Sequence, residues 1–358
     1  MRLSSHFTQI DEVASISYVA MHILVIKTSS LGDVIHTLPA LTDAQQHISN
    51  LQCDWVVEEH FAEIPTWHTA VKRVIPVALR RWRKHPFKTL LNGEWRQFKS
   101  QLTQHKYDYV IDAQGLIKSA FLTYQTQGLR CGLDKTSLRE PLARFAYQRH
   151  YAISKQQHAV DRLRQLFATV LNYSVPTTSP NYGISFPALK STSPTVIFLH
   201  GTTWLTKHLP EIYWQHLAEK FVSEGYHVRL PWGNTQEYER AERLANIHPN
   251  INLIPKGNLT QLARELAQAQ AIIGVDTGLS HLAAALNIPT ITLYGATEPG
   301  LTGTYGSFQY HLRSDVQCAP CLKKRCIYPK NNDIYPPCYS SFSVETIWQV
   351  FKTQILGQ

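Results

Sequence analysis

Residues 271–300 read AIIGVDTGLSHLAAALNIPTITLYGATEPG, and this pattern predicts a strand, a tight turn, a helix and a second strand. The apolar run Ala271–Val275 has the length of a buried strand, and the polar turn at 276–278 interrupts it. Residues 279–286 form an alanine-rich helical stretch, and Thr290–Tyr294 is a second apolar strand. A unit of this kind is typical of a parallel sheet covered by helices.

The turn at 276–278 is a candidate anion site. In a parallel sheet it lies at the carboxyl end of a strand, where the first N–H groups of the next helix have no partner within the helix. Thr277 and Gly278 can bring backbone amides to a phosphate, Asp276 can accept hydrogen bonds from sugar hydroxyls, and His281 follows on the same helix face. In the alternative reading, Asp276 is only a helix cap and His281 an ordinary core-edge histidine.

The length, composition and charge of the chain limit the classes of protein to which it can belong. The chain has 358 residues, 44% hydrophobic and 17% charged, which fits an ordinary globular protein with room for two domains. No apolar run has the length needed to cross a bilayer, and Asp11 and Glu12 fall where a signal peptide needs apolar residues. We therefore expect a cytosolic protein with residues 1–20 as an N-terminal extension. The net charge of +9 predicts an acidic partner: nucleic acid, an anionic membrane or a phosphorylated substrate.

Strands alternate with helices through both halves of the chain, which predicts an α/β protein with two parallel, doubly wound sheets. The first domain is predicted at 21–175 and the second at 195–342. The linker between them, residues 176–194, is rich in Pro, Ser and Thr. Residues 343–358 are predicted to end the chain with an amphipathic helix.

The first half contains a second turn of the same kind. The apolar strand at 23–27 is followed by the polar turn at 28–33 and a helix over 34–47. Asp33 lies where a carboxylate either caps the helix or, at the mouth of a strand-end cleft, acts as a general base. The residues alone leave both readings open.

The densest positive charge lies at 79–88, LRRWRKHPFK. Its basic side chains can hold phosphates while Trp82 and Phe87 lie at a membrane interface. A solvated basic loop without a specific partner is the alternative. Binding to nucleic acid is less favoured, because no recognition helix, zinc finger or RNP-like pattern accompanies the segment.

In the second half, the strand Thr195–Leu199 leads into a loop that carries hydroxyls and a lysine, Thr202, Thr203 and Lys207. These are further groups suited to a diphosphate.

Near the C-terminus the chain has a group of cysteines. Free or packed thiols, a structural zinc site and disulfides all remain open for them, since the spacing is not that of a standard zinc finger. The group comprises Cys318, Cys321, Cys326 and Cys338.

Several motifs in one order resemble the lipopolysaccharide heptosyltransferase I family, of glycosyltransferase family 9. They are KTSSLGDVIHTLPAL (27–41), DWVVEE (54–59), VIPVALRRWRK (74–84), DAQGLIKS (112–119), KQQHAVDR (155–162), LPWG (230–233) and VDTGLSHLAAAL (275–286). The resemblance covers residues 21 to about 305. It implies a GT-B fold, in which two Rossmann-like domains face each other across a cleft, the first for the acceptor and the second for the donor.

The resemblance also implies a reaction and its residues. The enzyme would transfer L-glycero-D-manno-heptose from ADP-heptose to Kdo of Kdo2-lipid A with inversion, at the cytoplasmic face of the inner membrane. The implied base is Asp33. The implied donor contacts are Thr202, Thr203, Lys207, Glu237, Asp276, Thr277, Gly278 and His281. The implied acceptor contacts are Arg80, Arg81, Arg83 and Lys84.

Further expectations concern cofactors and the C-terminal segment. ADP-heptose is a substrate, and no cofactor or catalytic metal is expected, although magnesium accompanying the nucleotide stays open. Residues 315–339 have no counterpart in the family's simplest pattern, and we expect them not to touch the donor site. This segment leaves the choice between first and later heptose acceptors open.

Two rival functions remain at this stage. One is another GT-B core transferase, such as heptosyltransferase II or III. The other is a basic protein that binds nucleic acid or membrane without chemistry, and salt-dependent DNA binding without sugar transfer would favour it.

Overall fold

A computed structural model describes residues 20–85, 89, 91–187, 193–328 and 334–358 of the chain. The expected N-terminal extension lies outside the described residues except for Ala20, and so do Phe87 of the basic segment and residues 188–192 of the linker. Among the described residues, no helix combines the length and the apolar character needed to cross a membrane.

The first half is a six-stranded sheet in which every paired strand is parallel. Its strand order is β3-β2-β1-β4-β5-β6. The strands are β1 His22–Ile26, β2 Gln52–Glu58, β3 Val71–Val77, β4 Lys106–Asp112, β5 Gln127–Leu133 and β6 Arg149–Tyr151. The α-helices are α1 Leu31–His47, α2 Glu63–Thr66, α3 Leu79–Lys84, α4 Glu94–Leu102, α5 Ile117–Tyr124 and α6 Ala159–Leu171.

The second half repeats this architecture with the strand order β12-β11-β10-β7-β8-β9. The strands are β7 Thr195–Leu199, β8 His227–Leu230, β9 Ile251–Leu253, β10 Ala271–Val275, β11 Thr290–Tyr294 and β12 Gln309–Arg313. The α-helices are α7 Glu211–Ser223, α8 Thr235–Ala245, α9 Leu259–Ala267, α10 Gly278–Ala285, α11 Pro299–Thr302 and α12 Val344–Val350. The predicted α/β architecture of two parallel sheets is confirmed.

Each sheet has one point where the strand order reverses, between β1 and β4 in the first and between β7 and β10 in the second. In open parallel sheets, ligands bind beyond the carboxyl ends of the strands at such a switch point. The turns that carry Asp33 and Asp276 follow β1 and β10. Both sequence motifs therefore lie where the topology places a ligand.

The two halves share apolar contacts. Helices α1 and α10 pack against each other, and one buried cluster includes Val34 and Ile35 from α1 with Leu282 and Ala283 from α10. Polar contacts add to this interface, since the Tyr305 hydroxyl donates to Asp161 Oδ2 at 2.8 Å. The ends of the two central helices are consequently held together by packing and not only by the linker.

Shorter helical elements accompany these strands and helices. A 3₁₀ helix at Pro141–Ala146 precedes the short strand β6. The C-terminal helix is present as α12 with a π-helical turn at Phe351–Leu356. The Trp348 and Phe351 rings contact the Phe221 ring of α7 edge to face, so this helix belongs to the core of the second half.

Candidate active site

The N-terminal ends of α1 and α10 meet face to face. A Cβ atom on Gly32 would lie 2.6 Å from Cδ2 of His281, and one on Gly278 would lie 2.5 Å from Cδ2 of Leu31. Such separations are shorter than any ordinary contact, so glycine at these two positions allows the helix ends to touch. Two helix N-termini thus face the same space, and both favour an anion there.

Asp33 lies in the first turn of α1 beside this contact. Its Oδ2 accepts hydrogen bonds from the backbone N–H and the hydroxyl of Ser30, both at 2.7 Å. The capping role proposed from the sequence is therefore real. Among the described residues Oδ1 has no hydrogen bond, so one oxygen of the carboxylate can still take up a proton.

The loop that precedes Asp33 is fixed by the turn after β4. Gln114 Oε1 accepts from the backbone N–H groups of Thr28 and Ser29, both at 3.1 Å. Lys118 Nζ donates to Ser29 Oγ at 2.7 Å, which brings a second charged group to the Asp33 loop. Burial lowers the pKa of Lys118, and the negative charges of Glu58 and Asp33 oppose this effect.

Asp276 is the centre of a buried polar cluster at the second switch point. Lys207 Nζ lies 2.7 Å from Asp276 Oδ2, and the Thr297 hydroxyl donates to the same oxygen at 2.6 Å. His281 Nε2 lies 3.7 Å from Oδ1. Burial alone would raise the pKa of Asp276, but His281 and Lys207 outweigh it and hold the pKa below its ordinary value. Asp276 is therefore a carboxylate that orients a lysine and a histidine.

A histidine from the first half completes this cluster. His36 Nε2 lies 3.0 Å from Nδ1 of His281, with the two rings in edge-to-face contact. Burial, then the nearby His281 and His158, holds the pKa of His36 well below its usual value. Because a carboxylate only accepts, we assign the His281 proton to Nε2, facing Asp276, and His36 then donates to Nδ1.

The loop after β7 and the start of α8 supply the remaining predicted donor contacts. The Thr202 hydroxyl donates to the backbone oxygen of Asp276 at 3.1 Å, which ties this loop to the α10 turn, and Thr203 is exposed beside it. A Cβ atom on Gly201 would lie 2.6 Å from the Glu237 carboxyl carbon. The absence of a side chain there leaves the Glu237 carboxylate beside the end of β7, where it can accept hydrogen bonds from ribose hydroxyls.

The cysteine-bearing segment does touch the donor-side loop, so the expectation that it lies apart is wrong. The Thr206 hydroxyl donates to the backbone oxygen of Lys323 at 2.5 Å, and the N–H of Leu322 donates to Ala296 at 2.8 Å. Lys207 and Lys324 place their ammonium groups 4.5 and 5.6 Å from the Trp204 ring centre. The segment covers one side of the loop, which sequence spacing alone cannot reveal.

All six cysteines carry free thiols in this structure. Cys338 is buried against Gly295, and burial, then the nearby Cys318, Cys321 and Cys326, raises its pKa to about 12. Among the described residues, no group of His, Cys, Asp or Glu side chains is arranged to hold a metal ion.

Two of the four predicted acceptor residues line a pocket of about 560 Å³ in the first half. Arg80 and Arg83 line it together with Trp82, Trp95 and Phe121. Lys118, which bonds Ser29 of the Asp33 loop, lines it as well. Through Lys118 the pocket therefore adjoins the loop that precedes Asp33, and it combines cations with aromatic rings. Lys84 is exposed at the end of α3.

Arg81 differs from the other predicted acceptor residues. Its guanidinium forms ion pairs with Glu59 at 3.1 Å and with Glu94 at 2.7 Å. These hydrogen bonds raise the pKa of Arg81 above its ordinary value. Glu94 also accepts a hydrogen bond from the Trp82 indole at 2.7 Å. Arg81 therefore positions Trp82 in the pocket wall through Glu94, and the two glutamates compensate its charge.

Sequence reasoning missed four residues of this site: His36, Thr297, Trp204 and Lys118. His36 follows Asp33 by three residues on one helix, and Thr297 lies in the loop after β11, so both occupied positions that the topology marks. Their partners, however, are distant in the sequence. No local pattern indicates that His36 meets a side chain 245 residues away.

Comparisons with known proteins agree with the observed fold. The profile of glycosyltransferase family 9 (heptosyltransferase) matches residues 95–332. Lipopolysaccharide heptosyltransferase 1 of Pseudomonas aeruginosa is 57% identical over 312 residues, which covers 86% of this chain and 88% of that protein. The structure of E. coli heptosyltransferase WaaC with ADP is 45% identical, with a TM-score of 0.83 over 93% of this chain and 100% of that one. The same enzyme with ADP-2-deoxy-2-fluoro heptose gives 45% identity and a TM-score of 0.80 over 93% and 99%.

Proposed function

This chain belongs to glycosyltransferase family 9, the heptosyltransferases, and we propose that it transfers L-glycero-D-manno-heptose from ADP-heptose to a Kdo hydroxyl of Kdo2-lipid A. Family membership confirms the GT-B fold and the glycosyltransferase class expected from the sequence motifs. Its relatives include lipopolysaccharide heptosyltransferase 1 and an enzyme solved with ADP-2-deoxy-2-fluoro heptose, and these support the donor and the inner-core step.

The observation that carries the proposal is the contact between the two helix ends. Asp33 is on α1, two residues from Leu31, which touches Gly278 of α10. Inversion by direct displacement needs a base on the acceptor side and charge stabilisation on the leaving-group side. The two helix ends supply these groups from opposite walls of one cleft.

The reaction then proceeds in one displacement. Asp33 takes the proton from the acceptor hydroxyl as its oxygen attacks C1 of the heptose, and the bond between C1 and the diphosphate breaks. Negative charge develops on ADP as it leaves. Lys207 and the N–H groups of Thr277 and Gly278, at the α10 end, stabilise that charge.

The same groups support metal-independent transfer. Lys207 is held 2.7 Å from Asp276, and the helix end adds its own partial positive charge. These can provide the charge stabilisation that a divalent ion supplies in other phosphate chemistry. Retained transfer in the presence of a chelator supports this part of the proposal, and loss that magnesium restores contradicts it.

We place the acceptor in the Arg80 and Arg83 pocket, and the enzyme at the cytoplasmic face of the inner membrane. The acceptor carries phosphates and carboxylates on a lipid, and this pocket offers guanidinium groups beside aromatic rings. The net charge of +9 favours approach to an anionic surface.

The test is an ADP-release assay with ADP-heptose and two purified acceptors. Kdo2-lipid A and the same lipid already carrying one heptose separate first-heptose from second-heptose activity. We expect ADP release with the unheptosylated acceptor. Turnover only with the heptosylated acceptor contradicts the proposed step while leaving the enzyme a heptosyltransferase.

A further inference from the structure

Helix α5 exposes a row of apolar side chains on its outer side. Ile117, Phe121 and Tyr124, spaced four and three residues apart, lie on one side of the helix and are more than half exposed. The remaining sides, with Ser119, Ala120, Leu122 and Thr123, are buried. A helix at a protein surface normally turns its polar side outward. The outward side of α5 is therefore built to contact something other than water.

A second element continues this surface. The 3₁₀ helix Pro141–Ala146 packs against α5 through Ala120, Ala143 and Ala146. Its Leu142 and Phe145 side chains point outward and are 66% and 70% exposed. Because the two elements lie side by side, five apolar side chains form one surface. We call this surface the docking face; it comprises Ile117, Phe121, Tyr124, Leu142 and Phe145.

Positive charge borders the docking face. The Arg144 guanidinium lies 4.7 Å from the Phe145 ring centre, and that of Arg130 lies 5.5 Å from the Tyr124 ring centre. Three further cations are exposed nearby in the sequence: Lys135, Arg139 and Arg149. Aromatic rings beside cations that reach past them are typical of proteins bound at a membrane interface, where rings enter the headgroup region and cations meet lipid phosphates.

The docking face adjoins the acceptor pocket. Phe121 belongs to both, and its ring stacks on Trp95 of the pocket wall at 5.6 Å. Lys118, on the same helix, reaches the Asp33 loop. A bilayer at this face would present a lipid-borne acceptor to the pocket without drawing the lipid into water.

We propose that the docking face binds the surface of an anionic phospholipid bilayer, with its aromatic and aliphatic side chains in the headgroup region. This deepens the proposed function, because it rests on the acceptor being a membrane lipid. The positive border distinguishes a bilayer from a second copy of this chain, whose docking face would carry the same charge and repel it.

The test measures binding of the full chain to vesicles by flotation. We expect the wild type to bind phosphatidylglycerol-rich vesicles at least about tenfold more tightly than phosphatidylcholine vesicles, since each basic side chain near an anionic surface adds affinity. The double variant Leu142→Ser/Phe145→Ser should weaken this binding at least about tenfold, because two apolar side chains no longer enter the interface. The variant Arg139→Gln/Arg144→Gln should lose most of the preference for phosphatidylglycerol.

A matched control removes exposed apolar side chains from the other half, Ile212→Ser/Phe308→Ser, and should bind vesicles as the wild type does. Equal binding by the wild type and Leu142→Ser/Phe145→Ser overturns the proposal, as does the absence of binding to any vesicle. Transfer to a deacylated, water-soluble acceptor is measured in parallel. If the wild type transfers heptose to the water-soluble acceptor but binds no vesicles, the membrane role of the docking face is overturned and the proposed function stands. If it binds vesicles but transfers heptose to no acceptor, the proposed function is overturned and the docking face stands.

Discussion

His36 Nε2 lies 3.0 Å from His281 Nδ1, although the two residues belong to different halves of the chain. With His36 donating to Nδ1, the N–H of His281 is at Nε2 and faces Asp276. Asp276 in turn forms an ion pair with Lys207. A residue of the first half thereby contacts the residues of the proposed donor site in the second half. We expect that site to depend on the contact between α1 and α10.

Replacing His36 tests this coupling. His36→Phe keeps a buried ring but removes the donor, and we expect kcat/KM for ADP-heptose to fall about tenfold, the worth of one buried hydrogen bond. His36→Gln places an amide N–H near the position of Nε2 and should recover most of the loss. Steady-state kinetics and the imidazole nitrogen NMR shifts of His281 measure the two effects.

The matched control is His68, another buried histidine of the first half, which bonds Thr42. His68→Gln and His68→Phe should leave the His281 nitrogen shifts unchanged. Equal kinetic losses for Gln and Phe at His36, with no change in the His281 tautomer, would reduce His36 to a packing residue.

The contact between helix ends predicts a steric effect. A Cβ on Gly278 would overlap Leu31, so Gly278→Ala should separate the helix ends and lower kcat/KM at least about tenfold. Leu31→Gly removes the overlapping atoms and should restore part of the activity in the double variant. A double-mutant cycle on kcat/KM measures the coupling, and simple additivity of the two changes would contradict a direct contact.

The arginines of the acceptor pocket should behave differently from one another. Arg80→Ala and Arg83→Ala should each raise the KM for the acceptor about three- to tenfold, since a charge-assisted contact to a phosphate or carboxylate is lost. Arg81 is already paired with Glu59 and Glu94, so Arg81→Ala should change the KM less than either. Titrations of the acceptor at a fixed ADP-heptose concentration give the KM of each variant. A larger increase in KM for Arg81→Ala than for Arg80→Ala and Arg83→Ala contradicts the assignment.

Buried histidines predict how stability depends on pH. Burial lowers the pKa values of His68 and His158 to about 4, against about 6.5 in an unfolded chain. The unfolded state therefore binds protons first as the pH falls. The free energy of unfolding should be highest above about pH 6.5 and should fall towards pH 4, by up to about 1.4 kcal/mol per pH unit for each histidine.

Urea unfolding at pH 7 and pH 5 measures that dependence. His68→Gln removes one of the buried histidines without touching the cleft, so the variant should lose less stability between these pH values than the wild type does. A steeper loss in the variant would contradict the assignment of His68 as a neutral buried group.

The turns that carry Asp33 and Asp276 could be predicted from the sequence, because each turn and its flanking strand and helix are consecutive in the chain. Asp33, Asp276 and their helices all lie within short segments whose periodicity predicts a strand followed by a helix. Strand β5 was missed because Gly128 and Gly132 interrupt its apolar pattern, and a Cβ on Gly132 would overlap Tyr147. Strand β6 has only three residues, of which Arg149 and His150 are exposed, so it lacks an apolar signal.

Contacts between the two halves could not be predicted in this way. The bond from His36 to His281 depends on how two sheets face each other. The cover of the β7 loop by residues 322–324 depends on the path of residues 314–328, which form neither helix nor strand. Neither leaves a periodic trace in the sequence. Tertiary packing alone determines which of the polar side chains become partners.

Asp33→Asn tests the central claim most directly. The amide oxygen can still accept from Ser30, so the helix cap is kept while the base is removed. Ser30→Ala is the matched control, since it removes one of the two bonds of the cap and keeps the carboxylate. Single-turnover transfer and ADP affinity are measured together. The account predicts that transfer by Asp33→Asn falls at least about 100-fold, with ADP affinity within about twofold of the wild type, while Ser30→Ala stays active. Transfer by Asp33→Asn within about tenfold of the wild type would contradict it.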